Sequence, residues 1–253
     1  MPHLFRSTSP QNRYYAWFPA LHTRIDLLLL APLTEPEFEA AEQAVCAELL
    51  TVEKMGNRFD PFSELSLAVS AASLHPVELS PSLFSLLSRC LKAHRDTDGL
   101  FDITVNSPDF KPGLINSVEL TPSQDNAGGS LFFHRASPSP SSTGPSVLLD
   151  LSGILKGYAL ERLRLLLPTL GITDALINLG NSSVLSLGTN PSDIPSGHCL
   201  TTSGNATPDR RHIRNPLTGE FITGQRTISV ITSDAIEGEI LATTRFIQES
   251  SPL

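Results

Sequence analysis

The sequence predicts an α+β fold in which strands and helices follow one another irregularly. Residues 23–31 form an apolar run typical of a buried strand, and Glu35–Asn57 repeats apolar residues at helical spacing. Further along, a predicted helix over Gly153–Leu167 leads into a β-hairpin with strands at Asp174–Leu179 and Ser183–Leu187. This order lacks the βαβ repeat of a doubly wound sheet, so it favours the α+β class over α/β.

The remaining elements are predicted from helix caps, apolar faces and alternation. Ser80-Pro81 is typical of a helix start, and that helix continues until Asp98-Gly99. Residues 137–146 are rich in Ser and Pro, which indicates a mobile loop. The other predicted elements are a strand-like segment at Phe101–Val105, β-like segments at Ser117–Leu120 and Ser130–Phe133, a turn at Gly180–Ser182, a strand at Thr227–Thr232 and a helix at Glu237–Ile247.

Composition argues against several functional classes. The 253 residues are 40% apolar, and we expect one domain over residues 1–253. A net charge of −8 without clustered Lys and Arg argues against nucleic-acid binding. Residues 1–15 lack the apolar core of a signal peptide and 27–30 are too few to span a bilayer, so we expect a cytoplasmic protein without stable membrane insertion. Three separated cysteines argue against a disulfide scaffold and a CxxC metal site.

The most informative segment is LDLSGILKGYA at residues 149–159. An apolar lead-in brings Asp150, Gly153, Lys156 and Gly157 to a predicted helix start. Backbone N–H groups at a helix start favour negative charge, glycine allows close backbone approach, and Lys156 adds a positive charge. The segment therefore predicts a site for an anionic ligand together with a cation.

The last predicted helix carries a candidate metal site. Glu239 and Thr243 are four positions apart, which puts their oxygens on one face about one turn apart. Mg²⁺ prefers oxygen ligands and commonly binds one or two carboxylates plus substrate phosphates. The GxGxxG and GxxxxGK[ST] motifs are absent, so any nucleotide is expected to bind without a Rossmann or P-loop frame.

A series of segments, in order, resembles the ApbE family, the FAD:protein FMN transferases. Segment 149–159 resembles the family motif Asp-Leu-Gly-Gly-Ile-Ala-Lys-Gly-Tyr, and residues 21–23 stand in place of the family's Met-Gly-Thr. The other matching segments are RFDPFSELS at 58–66, TDGLFDITV at 97–105, NLGNS at 178–182, TTSGN at 201–205, HIRNPLTG at 212–219 and AIEGEILATT at 235–244.

The resemblance implies an ApbE-like, T-fold-related arrangement of mixed sheets with packed helices. It also implies a Mg²⁺-dependent transfer of FMN from FAD to a Thr or Ser hydroxyl of an acceptor protein, with release of AMP. The alternatives that we keep open are a Mg²⁺-dependent FAD pyrophosphatase and a non-catalytic FAD-binding protein.

Residue roles follow from the same resemblance. Catalytic roles fall to His212 and Glu239, with the hydroxyl proton passing to His212 or to a carboxylate beside the metal. The implied Mg²⁺ ligands are the Gly153 carbonyl, Glu239 and Thr243. The implied FAD-binding residues are Leu21, Phe59, Leu100, Phe101, Asp102, Asp150, Lys156, Asn178, Gly180, Ser203, Gly204, His212 and Ile213.

Four departures from the family pattern bear on activity. Leu21-His22 stands in place of the family's Met-Gly. Ser182 stands where the family has Asp, Glu239 replaces another Asp, and the region at 189–198 is shortened.

Each motif also has a purely structural interpretation. Ser63 would cap a short helix, Asp102 would tie down a turn, and Asp150 would cap the following helix. In the same interpretation Lys156 is a solvated helix residue, His212 a surface residue, and Glu239 an exposed carboxylate.

Overall fold

The computed structural model describes residues 5–9, 13–125, 127–134, 147–207 and 211–250, with the backbone alone at 5–9. Within those ranges the strands are β1 (Phe5–Ser9), β2 (Arg13–Ala20), β3 (Thr23–Leu30), β4 (Val77–Leu79), β5 (Val118–Pro122), β6 (Gly129–Phe133), β7 (Ala175–Leu179), β8 (Ser183–Leu187), β9 (Cys199–Asn205) and β10 (Arg226–Thr232). The helices are α1 (Glu35–Gly56), α2 (Glu64–Ala71), α3 (Pro81–Asp96), α4 (Leu155–Thr169) and α5 (Ala235–Ser250), with a 3₁₀ helix at Leu114–Ser117.

The chain divides into two compact units. The first comprises Met1–Glu53, Ile154–Ser203 and Ile228–Ala242, and the second comprises Lys54–Gly153, Gly204–Thr227 and Thr243–Leu253. The prediction of a single domain is not tested by this division and stays a prediction.

The first unit is built on a sheet with the strand order β1-β2-β3-β7-β8-β9-β10. The successive pairs from β1 to β9 are antiparallel. Alternate residues of the central strands are fully buried, as with Ile25, Leu27 and Leu29 of β3, because side chains alternate between the two faces of a strand. Helix α4 packs against β8. Lys156 in the first turn of α4 donates to Ser182, the residue before β8, so the two starts lie side by side.

The second unit contains a smaller sheet with the order β4-β6-β5 and the helices α2 and α3. Ser63 caps α2 by accepting from the Ser66 N–H, and Ser80 caps α3 by accepting from the Leu83 N–H. Ser80 also donates its N–H and its hydroxyl to the two oxygens of Glu64, at 2.7 and 2.8 Å. These paired bonds tie the two helix starts together.

The α+β class is confirmed, and the predicted helices and hairpin are present. The strand-like prediction for Phe101–Val105 is wrong: these residues form turns, because the Asp102 carboxylate accepts from both the N–H and the hydroxyl of Thr104. Strands β1, β2, β4 and β9 were not predicted. The predicted loop at 137–146 lies outside the described residues. No helix in the described ranges is long and apolar enough to cross a membrane.

Candidate functional site

In the first unit, the start of α4 lies beside the β7–β8 turn. Lys156 and Gly157 occupy the first turn of α4, whereas Asp150 and Gly153 precede the helix. The Lys156 ammonium donates to the Ser182 hydroxyl, and the Gly157 N–H donates to the Glu239 carboxylate. Lys156 is therefore a half-buried, hydrogen-bonded residue, and its interpretation as a solvated helix residue is wrong.

Glu239 is the most buried carboxylate of the predicted site. Its side chain belongs to α5, the residue is 3% exposed, and its Oε1 accepts from the Ser183 hydroxyl at 2.6 Å. Burial raises the pKa of the Glu239 carboxyl, while Lys156, Ser183 and the Gly157 N–H oppose that rise. The interpretation of Glu239 as an exposed residue is wrong.

Two glycines are required for this arrangement. A Cβ at Gly157 would lie 2.5 Å from the Ala235 carbonyl oxygen and 2.7 Å from Glu239 Cγ. Gly180 has a φ of +66°, and a Cβ there would lie 2.3 Å from Thr23 Oγ1. Both positions therefore exclude a side chain, which explains the two glycines in the motifs.

The β7–β8 turn is held by its own amides. Asn178 accepts from the Asn181 N–H at 2.9 Å and donates its amide to Asn181 Oδ1 at 2.8 Å. Asn181 adopts a left-handed conformation with a φ of 59°. The turn thus presents Ser182 to Lys156 and Ser183 to Glu239. The contact between Asn178 and Asn181 is internal to the turn.

The β2–β3 turn is a second unusual feature of the first unit. Leu21 and His22 both have positive φ values, 50° and 56°, although neither is glycine. A pocket of about 440 Å³ lies beside this turn. It is lined by Trp17, Pro19, Ala20, His22, Thr23, Arg24 and Glu53. The sequence prediction did not name Arg24 or Glu53 as site residues; they bring one positive and one negative side chain to this pocket.

In the second unit, Asp150 is held by side chains from two other segments. Its Oδ2 lies 2.9 Å from Arg58 Nε and accepts from the Asn106 amide at 2.7 Å. The Arg58 N–H does not point at that oxygen, so this contact is an ion pair without an aligned hydrogen bond. Asp150 Oδ1 accepts from the Ser152 N–H, so the carboxylate closes a local turn and does not cap α4.

The aromatic candidate Phe59 is open to solvent. The residue is 64% exposed, and the Arg58 guanidinium lies over its ring at 4.1 Å from the centroid. Arg58 therefore contacts both Asp150 and Phe59, which makes it a functional candidate that the sequence analysis missed.

The segment around Asp102 forms a turn against α3. Phe101 is buried and Leu100 is half-buried. His94 Nδ1 lies 3.0 Å from the Phe101 carbonyl oxygen and 3.7 Å from Asp102 Oδ2. Asp102 ties down its own turn, as the structural interpretation predicted.

His212 and Ile213 begin a loop that is fixed by its neighbours. The Ile213 carbonyl accepts from the Ile222 N–H at 2.9 Å. Arg214 donates to the carbonyls of Val105 and Gly219, which anchors the loop while His212 stays exposed. His212 is therefore exposed, as its interpretation as a surface residue predicted.

The remaining candidates lie near the end of β9 and on α5. Ser203 and Gly204 are half-buried, and a Cβ at Gly204 would lie 2.3 Å from the Arg226 carbonyl oxygen. Thr243 is half-buried and lies one turn after Glu239 on α5. Gly153 is exposed, and nothing lies within 4 Å of the place a Cβ would occupy.

The donor chemistry around Glu239 fits a hard cation such as Mg²⁺. Among the residues that the structure describes, no group of three His, Cys, Asp or Glu side chains could hold a metal ion, so protein carboxylates alone do not form a complete site. The Glu239 carboxylate, however, has acceptor capacity beyond its two hydrogen bonds. Within the described chain, the buried Thr201 hydroxyl, opposite Ser183 in the sheet, also has no hydrogen-bond partner. An oxygen-binding cation with water and phosphate ligands fits such a donor set.

The structure thus places the predicted residues in two groups. Leu21, Lys156, Asn178, Gly180, Ser203 and Glu239 fall in the first unit, and Phe59, Leu100, Phe101, Asp102, Asp150, Gly153, Gly204, His212, Ile213 and Thr243 fall in the second.

Comparison with known proteins reveals relatives in one family. A sequence model of the ApbE family matches residues 21–251. The FAD:protein FMN transferase of Chlamydia muridarum is 28% identical over 172 residues, which cover 65% of this chain and 52% of that protein. The protein of the same name from Chlamydia trachomatis is 27% identical over 139 residues, covering 52% and 44%. The chain thus spans about half the length of the curated relatives it matches.

Solved structures share the fold at low sequence identity. The flavin transferase ApbE of Vibrio cholerae has a TM-score of 0.74 at 18% identity, covering 94% of this chain and 87% of that one. The ApbE protein of Thermotoga maritima has a TM-score of 0.75 at 20% identity, covering 94% and 88%. Pseudomonas stutzeri flavinyl transferase ApbE has a TM-score of 0.71 at 18% identity, covering 96% and 86%.

Proposed function

The chain belongs to the ApbE family, and we propose that it is an FAD:protein FMN transferase that uses Mg²⁺ and modifies a Thr or Ser of an acceptor protein. The observation that carries this proposal is the buried Glu239 carboxylate, held by Ser183 and Gly157 close to the cationic Lys156. Mg²⁺ commonly binds one or two carboxylates together with substrate phosphates, and a fixed cation can contact a phosphate oxygen.

The proposed reaction forms one phosphoester and breaks one phosphoanhydride bond. The acceptor hydroxyl oxygen bonds to the FMN phosphorus of FAD, and the bond from that phosphorus to the bridging oxygen breaks. AMP leaves with the bridging oxygen. The hydroxyl proton passes to His212, because His212 is exposed and can meet a protein substrate, whereas Glu239 is 3% exposed.

Mg²⁺ would be held by Glu239, with the Gly153 carbonyl and Thr243 as further ligands implied by the family resemblance. Bound there, the ion would neutralise charge that develops on the pyrophosphate. Lys156 contributes a positive charge that is anchored to a neutral hydroxyl, so it stays available for a phosphate oxygen.

We propose that FAD contacts the residues that the family resemblance implies for it. Phe59 presents an exposed aromatic face, which suits stacking against a flavin ring. Asp150 and Asp102 sit in turns that fix their carboxylates, so each could accept a hydrogen bond in a defined direction. The proposed partners are therefore FAD and an acceptor protein.

The test is incubation of the purified full chain with FAD and Mg²⁺, in the presence or absence of EDTA, with AMP and FMN separated by chromatography. Candidate acceptor proteins are added in parallel, and their mass is measured for covalent FMN. We expect EDTA-sensitive AMP release that matches FMN gained by the acceptor on Thr or Ser.

Other outcomes identify the alternatives. AMP and free FMN in equal amounts without an acceptor would mean hydrolysis of FAD. FAD binding that survives EDTA, without AMP under any condition, would mean a non-catalytic flavin-binding protein. FAD with Mg²⁺ but without the chain serves as the control for spontaneous hydrolysis.

A further inference from the structure

Ser183 is the first residue of β8, and its hydroxyl points to the same face as the buried Leu185 and Leu187. A serine on the apolar face of a strand needs a hydrogen-bond partner, because an unpaired buried hydroxyl costs stability. Its partner here is Glu239, which lies 56 positions away in the sequence.

We propose that Ser183 is a positioning residue that holds the Glu239 carboxylate in the orientation required to bind a divalent cation. The inference rests on the proposed function, since it concerns the same carboxylate. Ser183 itself touches neither metal nor substrate in this proposal; it acts through Glu239.

The geometry supports this role. The hydroxyl has one proton, and it donates that proton to Glu239 Oε1 at 2.6 Å, a length typical of a hydrogen bond to a charged acceptor. The Gly157 N–H donates to the same carboxylate from the start of α4. Two donors from separate elements therefore fix the carboxylate in two directions and leave other lone pairs for a cation.

The length of the Glu239 side chain explains why positioning is needed. Glutamate has more rotatable bonds than aspartate, so ordering it costs more side-chain entropy. Hydrogen bonds that are already formed before the cation arrives reduce that cost at the moment of binding. Removal of the Ser183 hydroxyl should therefore weaken cation binding more than it slows the chemical step.

The test compares Ser183→Ala with Ser186→Ala. Both serines are fully buried on β8, and Ser186 donates to the Ile194 carbonyl at 2.9 Å instead of to Glu239. Binding of Mn²⁺ to the full chain without FAD is followed by electron paramagnetic resonance. In parallel, the Mg²⁺ concentration that gives half-maximal AMP release and the rate at saturating Mg²⁺ are measured separately.

We expect Ser183→Ala to weaken Mn²⁺ binding and to raise the half-saturating Mg²⁺ concentration about 10-fold, with the saturated rate within about threefold of wild type. Ser186→Ala should lower thermal stability without changing either cation measurement. Equal cation affinities in wild type and Ser183→Ala, or equal losses in both serine variants, would overturn the proposal. So would a wild-type chain that binds no Mn²⁺.

The Mn²⁺ measurement separates this inference from the proposed function. If wild type binds Mn²⁺ and Ser183→Ala weakens that binding while no AMP is released, the positioning role stands and the transferase proposal fails. If AMP release depends on metal but is unchanged in Ser183→Ala, the transferase proposal stands and the positioning role of Ser183 fails.

Discussion

Two carboxylates of the candidate site, Glu239 in the first unit and Asp150 in the second, are held in different ways. Asp150 faces the Arg58 guanidinium and the Asn106 amide, and it also accepts a backbone N–H from Ser152. Glu239 accepts from a hydroxyl and a peptide N–H, and its cationic neighbour Lys156 donates to Ser182.

The difference predicts which carboxylate would gain more from a bound cation. Asp150 has a fixed cation at 2.9 Å, so its charge is largely compensated by the protein. Burial raises the pKa of Glu239, and Lys156, Ser183 and the Gly157 N–H offset that rise only in part. A bound cation should therefore stabilise the ionised form of Glu239 more than that of Asp150. The predictions below test this contrast.

The largest effect is expected for Glu239→Gln. Glutamine keeps an acceptor for Ser183 but removes the negative charge, so metal-dependent AMP release should fall at least about 100-fold, equivalent to about 2.7 kcal/mol. The matched control is Glu237→Gln, an exposed position on the same helix. Activity within a few-fold of wild type in Glu239→Gln would show that the buried carboxylate is not the reactive one.

Gly157→Ala should produce the largest loss of stability. The new Cβ would lie 2.5 Å from the Ala235 carbonyl oxygen, where only backbone movement can relieve the clash. We expect a loss of about 2 kcal/mol in the free energy of unfolding. Urea denaturation measures it.

Gly153→Ala is the control for that loss, because nothing lies within 4 Å of its Cβ position. We expect its unfolding free energy to change by less than about 0.5 kcal/mol. Equal stability of the two variants would contradict the close packing of α4 against Glu239.

Asp150→Asn should reduce stability by about 1–2 kcal/mol, since it leaves the Arg58 charge partly buried without its partner. The Arg58 side chain is 26% exposed, so water offsets part of the full penalty for a buried pair. The double variant Arg58→Gln/Asp150→Asn should recover some of that loss. A double variant less stable than Asp150→Asn would argue against compensation by an ion pair.

The fold could be predicted where local patterns are strong. Helix α1 repeats apolar residues at helical spacing, and α3 starts at a Ser-Pro signal, so both were found close to their observed bounds. Strand β9 reads CLTTSGN, a polar segment that becomes a strand through pairing with β8. Such strands depend on distant partners, which a local pattern does not contain.

The candidate site was likewise predicted only in part. Motif order located Lys156 and Glu239, but the sequence could not show that Lys156 donates to Ser182 or that Glu239 accepts from Ser183. These contacts join residues 26 and 56 positions apart. A serine at an inward-facing strand position was a signal that could have indicated Ser183. The pattern at Phe101–Val105 predicted a strand, but Thr104 donates its N–H and its hydroxyl to Asp102 and these local hydrogen bonds form a turn instead.

The raised pKa of the buried Glu239 carboxyl should make the free energy of unfolding depend on pH. Burial raises the pKa of this carboxyl above its ordinary value of 4.5, so the folded chain holds the proton more tightly than the unfolded chain. Its contribution to stability is therefore present at low pH and is lost as pH rises through the raised pKa. In EDTA, the stability of wild type relative to Glu239→Gln should fall as the pH rises above 4.5, through the raised pKa of the folded chain. A difference that stays constant would contradict the raised pKa.

The smallest effect is expected for Ser182→Asp, which brings a second carboxylate to Lys156. The added charge should attract Mg²⁺ and repel FAD, so the half-saturating Mg²⁺ concentration should fall about threefold while the KM for FAD rises by a similar factor. Ser182→Asn is the neutral control of matched shape. Equal shifts of the half-saturating Mg²⁺ concentration and of the KM for FAD in the Asp and Asn variants would show that charge at this turn has no effect. The raised pKa of Glu239 would then be due to burial, without a contribution from the charge at position 182.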